Sequence, residues 1–348
     1  MKLTPQAVFA QARERGASDV HVTTGHPVFI RVDGELLPLS DERLTPEATE
    51  EFVRTVLGEA SWKRLQQDRE IDVSFAVEGD GRLRVNCYFE RGRPGLVARL
   101  VPSEIPTLDA IGLAGIAEPL CALKEGLILF TGPTGCGKST SLAAMIQHIN
   151  QTRAASIVTL EDPIEFLFPQ GKSVIRQREI GSDFLSFPEA LRHVLRQDPN
   201  VIMVGEMRDL ETIAAALTLA ETGHLILATL HTPNAAQSID RIVDVFPPHQ
   251  QAQIRSELSL SLKAIIAQRL VPSATPRLGS GSSKGGRTAV REILLNTPAV
   301  ANIIRDHRLQ EITTVLQTGG DRGMRTFAKD AQRLVKEGMI TKEVVEGM

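Results

Sequence analysis

The chain has 348 residues, 42% of them hydrophobic and 4% aromatic, and a formal net charge of −3. This length favours two domains, with one large α/β unit as the alternative, and the apolar content is sufficient for buried cores. Few aromatic residues and a slightly negative charge argue against a protein whose main task is to grip nucleic acid, so no nucleic-acid partner is expected.

No stretch of the sequence approaches the ~20 apolar residues that span a bilayer, so no direct membrane insertion is expected. The cysteines, Cys87, Cys121 and Cys136, are widely separated and form no C-x-x-C pair. Neither a disulfide framework nor a zinc site is therefore predicted, and the cytoplasm is the natural compartment.

The first hundred residues alternate apolar and polar side chains with a period of two, which indicates half-buried antiparallel strands. The turns Asp33-Gly34 and Gly79-Asp80-Gly81 favour hairpins. Residues 1–100 are therefore predicted to form a small α+β domain on an antiparallel sheet. Its predicted elements are strands over 19–23, 28–32, 71–77 and 82–89 and a helix over 46–67.

Residues 101–119 contain Pro102, Pro106 and Pro119 and are predicted to be an ordered linker. From residue 120 to residue 348, apolar runs of strand length alternate with helical segments, the pattern of a parallel sheet with crossover helices. The Gly/Ser-rich segment 272–287 predicts a mobile surface loop. The expected fold class of this second domain is α/β.

One segment of the second domain, Gly132–Ser139, fits G-x-x-x-x-G-K-[ST], the phosphate-binding P-loop. Its glycines let consecutive backbone N–H groups point at one phosphate, Lys138 adds a point charge, and the Ser139 hydroxyl reaches Mg²⁺. Cys136 lies near a helix start, where a thiol pKa can fall, or is simply a tolerated small residue. The residues predicted to bind the nucleotide are Gly132, Pro133, Thr134, Gly135, Cys136, Gly137, Lys138, Ser139 and Thr140.

Three further apolar runs, 156–160, 201–204 and 225–230, also end in polar residues. Ligands of open parallel sheets bind at the carboxyl ends of the strands. If these runs share a sheet with 126–131, Lys138, Glu206, His231 and the acidic segment after residue 160 gather around one phosphate. His231 is there a candidate donor to the γ-phosphate.

Phosphoryl transfer needs Mg²⁺ at the β- and γ-oxygens and a carboxylate that orients the attacking water. Glu206 is the first choice for that carboxylate, although Gly205 stands where many P-loop proteins carry an Asp. Ser139 is the primary expected Mg²⁺ ligand, with Glu206 close by, directly or through water. An ordinary strand-end turn or helix cap is the alternative interpretation of each carboxylate. The competing carboxylates are Glu165, Asp162 and Glu161.

These motifs, in this order, resemble the secretion ATPases of type IV pili and type II secretion, most strongly the pilus retraction motors. Gly205 before Glu206 is usual in that family. The resemblance runs along nearly the whole chain. It rests on 17–21, 31–34, 70–75 and 82–86 in the first domain and on 161–166, 204–209, 222–232 and 239–247 in the second.

The resemblance implies a RecA-like ATPase domain preceded by a PAS-like N-terminal domain. It also implies a homohexameric ring that binds ATP near each subunit junction. Hydrolysis would act on a platform protein of the inner membrane, with the ring peripheral at its cytoplasmic face, and would shorten the pilus for twitching motility.

Alternation along 82–89 places Leu83, Val85, Cys87 and Phe89 on one face of a strand and Arg82, Arg84 and Asn86 on the other. We hypothesise that Arg82 and Arg84 reach nucleotide phosphates in the adjoining subunit, with Arg99 as a third candidate. Surface charge beside a turn is the alternative interpretation.

Two departures bear on the branch of the family. The longer N-terminal region and four-cysteine metal site of extension motors are absent from this sequence, which favours retraction. The loose match over 299–305 and the Gly/Ser loop leave open an accessory retraction ATPase, which would have a second retraction ATPase as partner. A nucleic-acid translocase and a regulatory ring subunit that only binds ATP are the remaining alternatives.

Overall fold

The computed structural model describes residues 4–32, 34–77, 81–100, 104–274 and 286–346. These residues form two compact units. The first runs to Glu104 and also takes Glu165–Leu167, and the second begins at Ile105 and holds the other described residues. No helix among the described residues combines the length and the apolar character that crossing a membrane requires.

The first unit is a six-stranded antiparallel sheet with two helices. The antiparallel sheet, four of its strands and α2 were predicted from the sequence, whereas β3, β6 and α1 were not. The strand order is β3-β2-β1-β6-β5-β4. The predicted turns at Asp33 and at residues 79 and 80 lie outside the described residues. The elements are α1 (Pro5–Glu14), β1 (Asp19–Val22), β2 (Phe29–Val32), β3 (Glu35–Pro38), α2 (Pro46–Asp68), β4 (Glu70–Val77), β5 (Gly81–Glu90) and β6 (Arg93–Leu100).

Period-two patterning decides which face of this sheet is buried. Leu83, Val85 and Cys87 of β5 are at most 1% exposed and join the core that Phe9 and Phe52 of the two helices complete. The intervening residues of β5 are only partly buried. The predicted division of this strand into an apolar and a polar face is therefore confirmed.

The second unit contains a seven-stranded sheet in the order β13-β12-β7-β11-β10-β8-β9, in which only β12 and β13 pair antiparallel. Its elements up to residue 204 are α3 (Ala114–Cys121), β7 (Gly126–Thr131), α4 (Lys138–Thr152), β8 (Ser156–Glu161), β9 (Val174–Glu179), α5 (Phe187–Val194) and β10 (Val201–Val204). The elements after residue 204 are α6 (Leu210–Glu221), β11 (Leu225–Leu230), α7 (Ala235–Asp244), α8 (Pro248–Ser261), β12 (Leu262–Pro272), β13 (Arg287–Leu295), α9 (Pro298–Arg305), α10 (Ile312–Thr318), α11 (Phe327–Lys336) and α12 (Lys342–Glu346).

The central strand β7 is buried on both faces of this sheet, since successive side chains of a strand point to opposite faces and both sets are in a core. In β7, Leu127 and Leu129 join one core, while Ile128 and Phe130 join the other. A strand buried on both faces reads as a continuous apolar run, which is how β7 appears in the sequence.

The predicted linker contains a helix, and most of the predicted surface loop is outside the described residues. The expected linker, 101–119, contains most of α3, whose Ala117, Leu120 and Cys121 are buried in the core of the second unit. These apolar residues have helical spacing, but the prolines of the segment, including Pro119 within α3, favoured the prediction of a linker. Of the predicted surface loop, residues 275–285 lie outside the described residues.

Candidate active site

The P-loop connects the buried strand β7 to helix α4, whose first residue is Lys138. Gly132, Gly135 and Gly137 have φ angles of 136°, 78° and 90°, a region that favours glycine. A Cβ on Gly132 would lie 2.4 Å from the backbone oxygen of Gln268. Glycine is therefore required there by contact as well as by conformation, and the loop is the tight cradle that the motif predicts.

Lys138 is held against this loop. Its Nζ donates to the carbonyl oxygens of Gly132, at 2.7 Å, and Pro133, at 3.1 Å, and the residue is 8% exposed. Ser139 and Thr140 follow in the first turn of the helix and are partly exposed. A lysine charge and a hydroxyl thus lie beside backbone N–H groups at a helix N-terminus, a combination suited to phosphate.

Cys136 is a packing residue. It is 3% exposed, and burial raises the pKa of its thiol in spite of the nearby Lys138. The alternative that the helix start lowers this pKa is therefore wrong, because loss of solvation outweighs the favourable charge and hydrogen bonds. The small sulfur side chain contacts the loop, since a Cβ on Gly132 would lie 2.7 Å from Sγ.

The four predicted strand ends lie along one edge of one sheet, as expected. The strands β7, β11, β10 and β8 are neighbours in that order and run parallel. In register, Thr131 pairs with Leu230, and Val204 pairs with both Ala228 and Leu160. Their carboxyl ends therefore deliver the P-loop, His231, Glu206 and Glu161 to the same edge.

Glu206 and His231 meet directly. Oε2 of Glu206 lies 3.4 Å from Nε2 of His231, and Oε1 lies 2.6 Å from Nε of Arg208. The Glu206 side chain is only 16% exposed, whereas that of Arg208 is 72% exposed. The carboxylate is thus largely withdrawn from water and held between an imidazole and an exposed guanidinium, which suits a group that orients a reacting water.

Close packing explains why Gly205, rather than aspartate, precedes this carboxylate. A Cβ at Gly205 would lie 3.1 Å from the backbone oxygen of Leu160 in the neighbouring strand. The Met207 N–H also donates to the carbonyl of Thr229, at 3.1 Å, which ties the segment after β10 to β11. The turn that presents Glu206 is therefore fixed by its backbone.

Glu161 has a structural role. It is 6% exposed, and its Oε1 accepts hydrogen bonds from Thr159 Oγ1, at 2.7 Å, and Gln177 Nε2, at 3.1 Å. Both bonds end on Oε1 and lie within the sheet, and the competing role of Glu161 stays a prediction. Asp162 is exposed.

Glu165 belongs to the first unit, whereas Glu206 and His231 belong to the second. Within the first unit, Oε1 of Glu165 lies 2.7 Å from Nη2 of Arg84. The Glu165 side chain is 39% exposed and the Arg84 side chain 34% exposed. Arg84 is paired in register with Arg99 of β6, whose Nε donates to Asp19 at 3.0 Å. Arg82 lies on the same face of β5 as Arg84. The expected roles of these arginines and of Glu165 at a nucleotide stay predictions.

The sequence analysis missed a buried polar group beneath the P-loop. Gln268 of β12 and Arg291 of β13 are 0% and 4% exposed and are hydrogen-bonded to each other, and Gln268 also bonds to the loop. Polar residues inside the apolar runs 264–271 and 289–295 were the available signal.

A cavity of about 470 Å³ lies beside the P-loop, entirely within the second unit. Its volume falls in the range of small-molecule sites. It is lined by residues of the P-loop, α4, β12, β13 and α11, by the segment after α11 and by residues 109–112. The lining includes Gly137, Thr140, Leu270, Thr288, Arg333 and Met339.

Known proteins resemble this chain along nearly its whole length. The family model described as type II/IV secretion system protein matches residues 1–346. The type IV pilus retraction ATPase PilT of Pseudomonas aeruginosa is 42% identical over 97% of this chain and 95% of its own length. The type IV pilus ATPase PilU of the same organism is 41% identical over 95% of this chain and 84% of its own. A crystal structure of the pilus retraction motor PilT with bound ADP superposes with a TM-score of 0.89 at 45% identity, covering 99% of this chain and 96% of that one.

Proposed function

The chain belongs to the type II/IV secretion system protein family and is an ATPase of its pilus-retraction type, and we propose that it works as a hexameric motor for type IV pilus retraction. The single observation that carries the proposal is the meeting of Glu206 and His231 at the strand edge that also bears the P-loop. The motor would act on a platform protein of the inner membrane from its cytoplasmic face.

In this proposal, the ATP phosphates lie in the P-loop and the nucleoside occupies the neighbouring cavity. Lys138 and the loop N–H groups neutralise charge on the β- and γ-phosphates. Because these groups are already in position, they stabilise the negative charge that develops in the transition state. Glu206 accepts a hydrogen bond from the attacking water and aligns it, while His231 holds the carboxylate and reaches toward the γ-phosphate.

Magnesium fits the residues that this edge provides. Ser139 offers a hydroxyl oxygen and Glu206 a carboxylate oxygen, and Mg²⁺ prefers oxygen donors, with phosphate and water completing its shell. Bound there, the ion would neutralise charge on the β- and γ-oxygens. Ser139 would be the direct ligand, with Glu206 binding directly or through water.

We further propose that Arg82 and Arg84 complete the nucleotide site of the adjoining subunit. The ion pair of Arg84 with Glu165 is partly exposed, and such pairs contribute about 0–1 kcal/mol, so Arg84 can exchange partners at little cost. Arg84→Ala is expected to lower ATP turnover at least about tenfold, equivalent to about 1.4 kcal/mol of transition-state stabilisation, and to reduce its cooperativity.

The measurement is steady-state hydrolysis against ATP concentration on the assembled protein. Arg54→Ala is the matched control, because Arg54 lies in the same unit and pairs with Glu59 at 2.6 Å on the surface. Turnover and cooperativity that are equal in Arg84→Ala, Arg54→Ala and the wild type would rule out the role of Arg84.

Deletion of the gene in the native host tests the proposed function. Loss of twitching with an excess of surface pili is the expected result, since assembly continues while retraction stops. Loss of surface pili altogether would indicate an extension motor and contradict the proposal.

An accessory retraction ATPase is the second candidate, favoured by the 41% identity with PilU. The same deletion separates the two. A main motor is needed under every condition, whereas loss of an accessory motor leaves measurable retraction by the partner ATPase.

A further inference from the structure

Gln268 lies at the centre of a buried polar group that the proposed reaction does not use. It occupies the middle of β12, and its neighbours Ile266 and Ala267 are fully buried, as is Gln268 itself. Burial of a primary amide costs free energy unless its donors and acceptor are paired. The hydrogen-bond partners of this amide therefore indicate which neighbouring segments Gln268 holds in place.

Three hydrogen bonds join this amide to three different elements. Oε1 accepts from Ser141 Oγ of α4, at 2.8 Å, and from Arg291 Nε of β13, at 3.0 Å. Nε2 donates to the carbonyl oxygen of Cys136, at 3.3 Å. One side chain thus links the P-loop, the helix that follows it and the antiparallel edge of the sheet.

The backbone of Gln268 also sets the shape of the P-loop. Its carbonyl oxygen is the atom that a Cβ on Gly132 would meet at 2.4 Å, and Nε2 lies 3.7 Å from where a Cβ on Gly137 would be. Gln268 therefore packs closely against Gly132 and is hydrogen-bonded to the loop at Cys136.

Arg291 fixes this amide from the other side. It is 4% exposed, and burial lowers its pKa to about 10, so it remains charged at neutral pH. Its backbone N–H donates to Oδ2 of Asp330 in α11, at 2.8 Å. Asp330 is 1% exposed and is also paired with Arg325, at 3.2 Å, and Arg333, at 2.8 Å. A continuous set of buried polar contacts thus runs from α11 to the P-loop.

From this geometry we propose that Gln268 is a positioning residue of the P-loop and that Arg291 acts through it. The inference rests on the proposed nucleotide site. A loop whose N–H groups must converge on phosphate binds more tightly when it is held in that arrangement beforehand. Gln268 contacts no reacting atom in this arrangement, so its removal weakens binding more than it slows the chemical step.

Gln268→Met tests this directly, because methionine has a similar length and none of the three hydrogen bonds. ADP affinity, measured by calorimetry on the assembled protein, is expected to fall about tenfold, as loss of one or two buried hydrogen bonds would predict. KM for ATP should rise by a similar factor while kcat changes little. Gln253→Met is the matched control, since Gln253 lies exposed on α8.

Gln268→Glu is the second variant, in case Gln268→Met does not fold. It keeps the acceptor for Ser141 and Arg291 but loses the donor to the Cys136 carbonyl, so weaker ADP binding is again expected. Melting without nucleotide reports folding separately from affinity. Folded Gln268→Met or Gln268→Glu protein that binds ADP as tightly as the wild type overturns the inference.

A double-mutant cycle then tests whether Arg291 acts through Gln268. Arg291→Met alone should weaken ADP binding, and it should add little in the Gln268→Met background. Fully additive losses would overturn this part of the inference. If the wild-type chain itself binds no ADP, the proposed function fails and the inference fails with it. If the wild type binds ADP and the Gln268 variants bind it equally tightly, the inference fails and the proposed function stands.

Discussion

Glu206→Gln is expected to lower kcat for ATP hydrolysis about 10³-fold, within the range that loss of a general base produces. Glutamine keeps the shape of the side chain but cannot accept a proton from water. ADP affinity should change little, because the P-loop, Lys138 and Gln268 are left intact. The measurement is phosphate release at saturating ATP, together with ADP binding on the same preparation.

Glu211→Gln is the control for this variant, since Glu211 lies exposed at the start of α6, a few residues further along the chain. It should hydrolyse ATP at the wild-type rate. If Glu206→Gln also keeps the wild-type rate, another group orients the water, and Glu165 becomes the next carboxylate to replace.

Lys138→Ala is expected to remove ATP hydrolysis below detection and to weaken ADP binding by about 10- to 100-fold, as loss of a charged hydrogen bond of ~1.5–3 kcal/mol predicts. The ammonium is the one strong positive charge within the loop itself. Its loss also leaves the carbonyls of Gly132 and Pro133 without the donor that Nζ provides. Both binding and turnover should fall, in contrast to Glu206→Gln.

Lys124→Ala provides the comparison, because Lys124 is exposed just before β7 in the same unit. It should preserve both ADP binding and turnover. ADP affinity that is equal in Lys138→Ala and the wild type would show that the nucleotide lies elsewhere, and the cavity beside the P-loop would lose its assignment as well.

The strand ends of the second unit could be predicted because their local signals agree with the fold. Each of β7, β8, β10 and β11 is a short apolar run, and a parallel sheet brings the carboxyl ends of such runs to one edge. Glu206 and His231 follow two such runs, and their carboxylate and imidazole atoms lie 3.4 Å apart at that edge.

The partners of individual polar residues could not be predicted in the same way. Glu161 and Glu206 both follow apolar runs, yet Gln177 of the neighbouring strand β9 donates a hydrogen bond of 3.1 Å to Oε1 of Glu161, which the sequence does not show. Burial likewise determines the direction in which the pKa of the Cys136 thiol shifts. The sequence shows that the residue lies near a helix start, but it does not show that the thiol is removed from solvent. Such outcomes depend on contacts between residues far apart in the chain.

The role of Gln268 was hidden for the same reason. Its three partners, Cys136, Ser141 and Arg291, are brought together only when β12 lies beside β7 and β13 beside β12. A polar residue in an apolar strand signals that some partner exists, but it does not identify that partner.

The most direct test of the account is complementation of the deletion strain with Glu206→Gln, with protein levels checked against the wild type. We expect the variant protein to be present, twitching to stay absent and surface pili to stay in excess, whereas the wild-type gene and Glu211→Gln restore retraction. Normal twitching with Glu206→Gln would contradict the claim that ATP hydrolysis at this strand edge powers pilus retraction.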